Sequence, residues 1–483
     1  MNNDRMPLEL LPTFGFFGDH ETNCLVVDTE ATADCIEIFM NKPGGEFLNL
    51  GRIDLFDAGG HLLSREEICA RVEMSTVYND RAPEVVNQAF IEGTMLHSKK
   101  EIRPGLKIHL KTPTFLKRIE VHNRRDQWAK RSFGLQMNLR LKDVLQFSYG
   151  SCSEQRRQAA LVTVGETLRS SGIDDISVDP SSGKLDYEGA PDPQNHDAAL
   201  GRVKRACLDA YRAGPDTWGS PELLLSLVDF TNPAYLPSAV DFEILAEYAL
   251  HLMGKSLSIE THHLAVFSSL LRSSERIGTF LRAVNSSYNM KHDQKRTFIM
   301  SKHTLNASRL LELAEPFMSL LSEVFGILER TGRRGVLCYG SLLGAVRTGG
   351  VIPHDDDIDV LYIDDSTDRA MALQRSEEVV ADFKKLGFQS WRPTGSLNFN
   401  VNKGNLTIDL FPCWFEADKV FLMMERFQIR SIAKDILVPL GSANLCGRTF
   451  PAPGKPEEFL AERYGPTWKI PNAFYEWPWK IVE

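Results

Sequence analysis

The segment from Gly335 to Asp365, GVLCYGSLLGAVRTGGVIPHDDDIDVLYIDD, constrains the fold more than any other part of the chain. An apolar run leads into Gly340 and Ser341, and LLGAVR follows, so the pair of small residues predicts a tight turn from a strand into a helix. A helix that begins at such a turn presents free backbone N–H groups, which suit a phosphate. Four aspartates within residues 355–359 then lead into a second apolar strand. The sequence therefore predicts a strand–turn–helix–strand unit with an anion-binding turn beside an acidic strand.

The aspartates of this segment have the pattern of a metal site. Alternate residues of a strand share a face, so Asp357 and Asp359 are expected to point the same way, with Asp355 if the strand extends back. Asp409 lies in a later strand-like run, LTIDLFP, and is a third candidate ligand. An Asp-rich run alone is usually a solvated loop. The fixed order of turn, Asp-x-Asp and later Asp favours carboxylates that hold one or two Mg²⁺ or Mn²⁺ ions against a diphosphate, because such like charge is costly to bury without a cation.

This order of motifs resembles the polymerase-β-type nucleotidyltransferase superfamily. The string YGSLLGAVRTGGVIPHDDDIDV resembles, more specifically, the LicD and fukutin-related phosphotransferase family, and PGKPEEFLAERYGPTWKIP resembles the closing segment of the same family. The resemblance runs from about residue 305 to about residue 475. It implies a nucleotidyltransferase-like α/β domain with a mixed sheet. It also implies that Asp357, Asp359 and Asp409 are metal ligands and that Asp355, beside them, is a base or a supporting group, so these four form the expected catalytic set.

The same resemblance implies a set of substrate-binding residues. Gly340 and Ser341 would contact the phosphates of the donor, and Arg347 would neutralise phosphate charge. A salt bridge on the helix surface is the alternative role for Arg347. His354 stands where tryptophan is common in the family, so a structural role and a substrate-binding role both stay open for it.

The first 150 residues are predicted to be rich in β-strands. Their short runs with partial alternation are separated by Gly, Pro and Asp, and they cover residues 35–41, 47–58, 106–111, 115–123 and 133–142. FLNLGRIDLFDAGG and VHNRRD resemble the discoidin, or coagulation-factor C-type, β-sandwich, a jelly-roll fold of the galactose-binding-like class. That resemblance implies glycan contacts from loops at one end of the sandwich, with Tyr78, His97, Arg124 and Arg131 as the candidates. An internal Arg–Asp pairing is the alternative role for the arginines.

We predict a multidomain α+β chain with three parts. Residues 1–150 form the β-sandwich, residues 151–300 a linker and helical region, and residues 301–483 the catalytic domain. The stretch from about 150 to 195 is rich in Pro, Gly, Asp and Ser, which predicts a linker or a long surface loop. Residues 198–300 have apolar positions three and four apart, which predicts helices. A further helix is predicted over about 305–330, with an interruption at Pro316.

Composition excludes several classes of protein. Apolar residues make up 43% and charged residues 25% of the 483 residues, which excludes disordered and fibrous chains. The net charge of -9 argues against nucleic acid as a partner, although it leaves a local basic groove open. The eight cysteines include no C-x-x-C pair, so neither a disulfide scaffold nor a cysteine zinc module is predicted, and a reducing, cytoplasmic location is expected. Neither a signal peptide nor a membrane-spanning apolar run is predicted, which leaves peripheral membrane association open.

The resemblances together imply a function. We expect Mg²⁺-dependent transfer of choline, ribitol or glycerol phosphate from a CDP-activated donor to a glycan hydroxyl in surface polysaccharide biosynthesis, with release of CMP. The sequence does not distinguish the three phospho-alcohols. One alternative is a nucleotidyltransferase that uses an NTP and releases pyrophosphate. The other is a non-catalytic, glycan-binding scaffold.

Overall fold

The computed structural model describes residues 10–17, 24–42, 44–78, 96–124, 126, 128–187, 193–214, 218, 220–307, 309–352, 355, 357–392, 396–404, 406–425 and 428–482. The chain divides into two compact units. The first comprises residues 1–296 together with 476–483, and the second comprises residues 297–475. The predicted domain boundary at residue 300 lies close to this division, whereas the predicted boundary at residue 150 lies inside the first unit.

The first unit begins with a large antiparallel sheet. The strands of the whole first unit are β1 (Leu25–Met40), β2 (Asn49–Leu50), β3 (Ile53–Phe56), β4 (Cys69–Met74), β5 (Leu96–His97), β6 (Gly105–Val121), β7 (Leu135–Leu141), β8 (Val144–Gly150), β9 (Ile176–Val178), β10 (Leu185–Tyr187) and β11 (Ser258–Glu260). The main sheet has the order β3-β6-β1-β7-β8, with β4 also paired to β6, while β2 and β5 form a separate pair. The prediction of a β-rich N-terminal region is thus confirmed. The arrangement of its strands as a two-sheet β-sandwich stays a prediction.

Alternation of buried and exposed residues explains why the main sheet has one apolar face. Residues 25–30 of β1 alternate strictly between buried and exposed positions, as in an antiparallel strand with one solvated face. The predicted strands 106–111 and 115–123 are one continuous strand, β6, which pairs with β1 from Leu25 opposite Val121 to Phe39 opposite Gly105. This long pair carries the core of the N-terminal region.

Helices make up most of the remainder of the first unit. The α-helices are α1 (Arg65–Ile68), α2 (Glu154–Ser170), α3 (Pro193–Ala213), α4 (Pro221–Leu225), α5 (Ala239–Met253) and α6 (Ser274–Lys291), and the 3₁₀ helices are Ala129–Ser132, Gly254–Ser256 and Thr261–Phe267. The helical prediction for residues 198–300 is therefore confirmed. The prediction of a linker from about 150 is wrong, because Leu161, Val164 and Leu168 give α2 a buried stripe. Polar residues on its other faces hide this stripe in the composition.

A buried ion pair connects α3 to α5. Lys204 Nζ donates to Asp241 Oδ1 at 2.6 Å, and the two side chains are only 4% and 1% exposed. The same ammonium group donates to the hydroxyl of Tyr235 at 2.7 Å.

Within the described part of the chain, no helix has both the length and the apolar character needed to cross a bilayer.

The second unit has a mixed sheet with helices packed against it. Its strands are β12 (Phe298–Met300), β13 (Thr304–Ala307), β14 (Arg334–Leu337), β15 (Asp359–Ile363), β16 (Gln389–Trp391), β17 (Phe399–Lys403), β18 (Leu406–Glu416), β19 (Lys419–Glu425), β20 (Gln428–Ala433), β21 (Gly441–Leu445) and β22 (Arg448–Ala452). Its helices are α7 (Arg309–Glu312), α8 (Ala314–Arg330), α9 (Tyr339–Thr348), α10 (Arg369–Lys385), α11 (Lys434–Leu437) and α12 (Pro456–Tyr464). The order β14-β15-β18-β17-β16 includes one parallel pair, β15 with β18, so the predicted mixed sheet is confirmed.

The helix predicted over 305–330 begins later than expected. Residues 304–307 form strand β13, which pairs with β12, and the long helix α8 starts at Ala314. Pro316 therefore lies in the first turn of α8 and does not interrupt it, because the first N–H groups of a helix have no partner within the helix. Leu321, Val324 and Leu328 of α8 belong to the same buried core as the central strands.

Candidate functional site

The turn between β14 and α9 brings the helix start against two carboxylates. Tyr339 adopts a left-handed backbone (φ 42°), and its hydroxyl donates to the carbonyl of Met423. Gly340 follows. A Cβ at position 340 would collide with Oδ2 of Asp355 and would lie 3.3 Å from Oδ2 of Asp359. Only glycine allows the helix start to approach these carboxylates so closely.

Two hydrogen bonds fix Asp359 at the beginning of β15. Its backbone N–H donates to Oγ of Ser341 at 2.8 Å, and its Oδ2 accepts from the N–H of Gly340 at 3.1 Å. The Asp359 residue is only 8% exposed. The Gly-Ser turn and the acidic strand, which the sequence places eighteen or more residues apart, are therefore one structural unit.

The parallel pairing of β15 with β18 places a second aspartate beside the first. Asp359 lies opposite Asp409 in the register, and the N–H of Asp409 donates to the carbonyl of Ile358 at 2.9 Å. Asp357 precedes β15, so the prediction that Asp357 and Asp359 share one strand is wrong. The chain nevertheless keeps the Asp357 carboxylate within electrostatic reach of Asp359.

The concentration of negative charge has a clear electrostatic effect. Burial raises the pKa of Asp359 well above its usual range, and the charges of Asp357 and Asp409 raise this pKa further. The N–H of Gly340 and the ammonium of Lys302 act in the opposite direction. Carboxylate oxygens are the ligands that Mg²⁺ and Mn²⁺ prefer. The donor set of Asp357, Asp359 and Asp409 therefore fits the expected metal, which would relieve this repulsion.

Lys302, which the sequence did not single out, and side chains of the C-terminal segment lie beside the carboxylates. The guanidinium of Arg463 lies 5.2 Å and 5.4 Å from the ring centroids of Tyr464 and Tyr475, and it donates to the Tyr475 hydroxyl at 2.8 Å. Lys302 Nζ lies 5.8 Å from the centroid of Tyr475. Burial raises the pKa of Tyr464 well above its usual range, and the charge of Asp359 adds to this effect. We call Lys302, Arg463, Tyr464 and Tyr475 the cation–tyrosine cluster.

The other two predicted substrate-binding residues lie differently. Arg347 is half-buried in the last turn of α9, where its Nη2 donates to the carbonyl of Ile470 at 3.2 Å. Burial lowers the pKa of Arg347. Its Nε is buried and makes no hydrogen bond to any described residue. His354 lies outside the described residues.

The four predicted glycan-binding residues come together in the first unit. Tyr78 and His97 stack with centroids 4.3 Å apart and planes at 11°. The guanidinium of Arg131 lies 4.4 Å from the ring centroid of Trp128. Burial lowers the pKa of His97, and the charges of Arg124 and Arg131 lower it further. Tyr78 and Trp128 are exposed, so this cluster offers both aromatic surface and positive charge.

Arg124 has the internal pairing that the sequence left open. It is buried, its Nε donates to Asp126 Oδ1 at 2.6 Å, and its Nη1 donates to Asn49 Oδ1 at 2.5 Å. Arg131 donates to the same Asn49 oxygen at 3.2 Å. Asn49 therefore connects the two arginines by accepting a hydrogen bond from each, and Arg124 is the buried member of the cluster.

Comparison with known proteins identifies one part of the chain. No curated protein matches it, and the discoidin resemblance is not confirmed. Residues 332–455 match the family model described as LicD/FKTN/FKRP, nucleotidyltransferase domain. The match includes Gly340 and the four aspartates of the site, whereas Lys302 and Arg463 lie outside it. The predicted resemblance is confirmed over this range, and residues 332–455 of the second unit are similar to the LicD/FKTN/FKRP nucleotidyltransferase domain.

Proposed function

We propose that the second unit catalyses the Mg²⁺-dependent transfer of a phospho-alcohol from a CDP-activated donor to a hydroxyl of a glycan, with release of CMP. The similarity of residues 332–455 to the LicD/FKTN/FKRP nucleotidyltransferase domain supports a phosphotransferase-type function in glycan modification. Choline, ribitol and glycerol phosphate are the three candidate groups. The observation that carries the proposal is the direct contact between the helix start at Gly340 and the buried carboxylate of Asp359, with Asp409 opposite it.

The arrangement suits in-line displacement at phosphorus. A bond forms between the acceptor oxygen and the distal phosphorus of the donor, and the bond from that phosphorus to the bridging oxygen breaks, so CMP leaves with that oxygen. The acceptor proton passes to a carboxylate, and Asp355, beside Gly340, is our candidate for it. A metal ion held by Asp357, Asp359 and Asp409 would supply charge neutralisation at the diphosphate.

The chain's own residues would orient the donor. The N-terminal turn of α9 offers backbone N–H groups to a phosphate, since the first donors of a helix have no partner within it. Lys302 and Arg463 add positive charge on the side of Tyr475. The site therefore has carboxylates for a metal, amides for a phosphate, and cations beside aromatic rings.

The proposal is tested with the full-length protein and donors that carry a label in the distal phosphate. CDP-choline, CDP-ribitol and CDP-glycerol are each incubated with a glycan acceptor and Mg²⁺, in parallel with NTPs labelled in the α-phosphate. We expect label transfer from one CDP-alcohol and appearance of CMP. Transfer of a nucleotidyl group with release of pyrophosphate would instead establish the NTP-dependent alternative.

Two asparagine variants check the role of the buried carboxylate. Asp359→Asn should abolish transfer without loss of stability, because a neutral amide removes the repulsion from Asp357 and Asp409 and still accepts the Gly340 hydrogen bond. Asp365→Asn alters an exposed residue just after the same strand and should retain activity. A thermal midpoint that falls by many degrees in Asp359→Asn alone would assign this residue a structural role.

We also propose that Tyr78, His97, Arg124, Trp128 and Arg131 of the first unit, which we call the aromatic–arginine cluster, bind the acceptor glycan. Exposed Tyr78 and Trp128 offer surfaces for sugar rings, and Arg131 offers a guanidinium for a charged substituent. Trp128→Ala should weaken glycan binding, measured by calorimetry with acceptor oligosaccharides, whereas Trp391→Ala, at an exposed tryptophan of the second unit, should not. Equal affinities in both variants and the unmodified protein would exclude this role.

A further inference from the structure

A separate group of metal-ligating side chains lies on the large sheet of the first unit. Its members are Cys24, Glu120 and His122, and their donor atoms all lie within 4.8 Å of one another. Cys24 Sγ lies 3.7 Å from Glu120 Oε2. Cys24 is far from Glu120 and His122 along the chain, so no local sequence motif contains all three.

The register of the sheet brings these residues together. Leu25 lies opposite Val121 in the antiparallel pair of β1 and β6. Cys24 immediately precedes Leu25 and His122 immediately follows Val121, so the two side chains reach the same end of this pair. Val121 is completely buried, and alternate residues point to opposite faces of a strand. Glu120 and His122 therefore project together from the face opposite the core.

Neighbouring strand β3 adds a carboxylate that fixes the imidazole. Asp54 lies opposite Glu120 in the pair of β3 and β6, and its Oδ2 lies 3.1 Å from Nε2 of His122. Asp54 and His122 are 6% and 8% exposed, so both are held in place by their surroundings. Metal-ligating histidines commonly contact a carboxylate through the other ring nitrogen, and this contact sets the orientation of the ring.

Two arginines neutralise part of the negative charge, and one oxygen of Glu120 still faces Cys24. Arg118 Nε lies 3.0 Å from Oε1 of Glu120, whereas the other oxygen, Oε2, faces the thiol of Cys24. Arg52 contacts Oδ2 of Asp54 at 2.9 Å. Oε2 of Glu120, which faces Cys24, is therefore the expected metal ligand.

The chemistry of the group selects the class of cation. A thiolate, an imidazole and a carboxylate form a borderline-soft donor set, which suits Zn²⁺, while Mg²⁺ requires oxygen ligands. We propose that Cys24, Glu120 and His122 bind a Zn²⁺-class divalent cation and that Asp54 is a positioning residue for His122. On binding, the S–H bond of Cys24 breaks, a sulfur–metal bond forms, and the proton leaves to solvent, as metal ligation by cysteine requires.

Cobalt(II) provides a test that does not depend on transfer activity. The reduced, metal-depleted full-length protein is titrated with Co²⁺ under anaerobic conditions, and the near-ultraviolet band of a thiolate–cobalt bond is recorded. We expect one equivalent to produce the band and Zn²⁺ to abolish it. Excess Mg²⁺ should not abolish it, because Mg²⁺ prefers oxygen ligands and does not displace cobalt from a thiolate.

Single variants assign the band to the three residues and to Asp54. Cys24→Ser should lose the band, whereas Cys152→Ser, at an exposed cysteine, should keep it. His122→Asn and Asp54→Asn should each weaken Co²⁺ binding by about 10- to 100-fold. Thermal melts without metal identify any variant that fails to fold, and Cys24→Ala then replaces Cys24→Ser. A wild-type protein without the band, or a band that survives in a folded Cys24 variant, would overturn the proposal.

Discussion

At the scale of single residues, the candidate catalytic site depends on how closely backbone and carboxylates approach each other. Gly340 is the point of closest approach, since its N–H contacts Asp359 and any side chain there would meet Asp355. The left-handed Tyr339 before it turns the chain from β14 into α9. One residue without a side chain therefore sets the distance between the phosphate-binding turn and the carboxylates.

Gly340→Ala should reduce transfer activity by about 100-fold, because the added methyl group displaces Asp355 or the helix start, and displacements near 1 Å have effects of this size. Gly326→Ala is the matched control. It adds the same methyl group within α8, where it meets only the mobile end of Arg330. Steady-state rates for the two variants, with circular dichroism to check the fold, decide the matter. Equal activities would mean that the turn tolerates a side chain and that the close approach has no catalytic role.

At the scale of elements, two segments outside the matched family range contribute to the site. The connection between β12 and β13 carries Lys302, and α12 carries Arg463 and Tyr464. Their charges and rings lie beside Asp359. We infer that these elements contact the donor, because a diphosphate and a pyrimidine base suit cations and aromatic rings respectively.

Lys302→Met and Arg463→Met should each raise the KM for the CDP-activated donor by about 10- to 100-fold, which corresponds to about 1.5–3 kcal/mol for a hydrogen bond to a charged group. Lys469→Met removes an exposed lysine that pairs with Glu457 and should leave the KM unchanged. Kinetics with donor and acceptor varied separately provide the measurement. A change confined to the acceptor KM would place the cation–tyrosine cluster on the glycan side.

The buried ion pair between α3 and α5 permits a stability prediction for the helical region. Lys204→Met should lower the free energy of unfolding by about 3–5 kcal/mol, because it leaves the Asp241 carboxylate buried without a cation. Arg202→Met, which breaks the exposed pair with Asp175, should leave this free energy almost unchanged. Urea unfolding followed by circular dichroism compares them. Similar losses in both variants would contradict the assignment of the effect to burial.

The sequence predicted what lies close together along the chain and missed what folding brings together. Gly340, Ser341 and the aspartates from 355 to 359 belong to one continuous motif, and Asp409 follows it in a fixed order. Lys302 precedes that motif at a distance, so no local pattern identified it. Arg463 lies in the closing segment that resembles the family, but the pattern assigned it no role. The α2 helix was missed because its polar faces dominate the composition, and the Cys24 group exists only through the register of β1 and β6.

At the scale of the whole molecule, the compact unit that contains the candidate site is larger than the matched range. The second unit covers residues 297–475, whereas the family match covers residues 332–455. Leu321 and Val324 of α8 and Phe459 and Leu460 of α12 lie outside the match, yet they belong to the core of this unit. The matched range alone therefore lacks the buried residues that α8 and α12 contribute to the core of this unit.

A fragment of residues 297–475 should fold cooperatively, and a fragment of residues 332–455 should not. The shorter fragment exposes the apolar surface that α8 and α12 cover, and each fully buried leucine or phenylalanine contributes about 1.5–3 kcal/mol. Differential scanning calorimetry of the two fragments provides the comparison. A cooperative transition in the shorter fragment would show that these helices are dispensable for folding.

The parallel pairing of β15 with β18 has a consequence for protein engineering. Asp359 and Asp409 are held side by side by direct strand pairing, while the chain between them leaves the pair and returns through α10, β16 and β17. We expect substitutions at exposed residues of α10 to leave the separation of the two carboxylates unchanged, because the register of β15 and β18 does not involve them. Engineering of this unit can therefore vary the exposed face of α10 and keep the paired carboxylates constant.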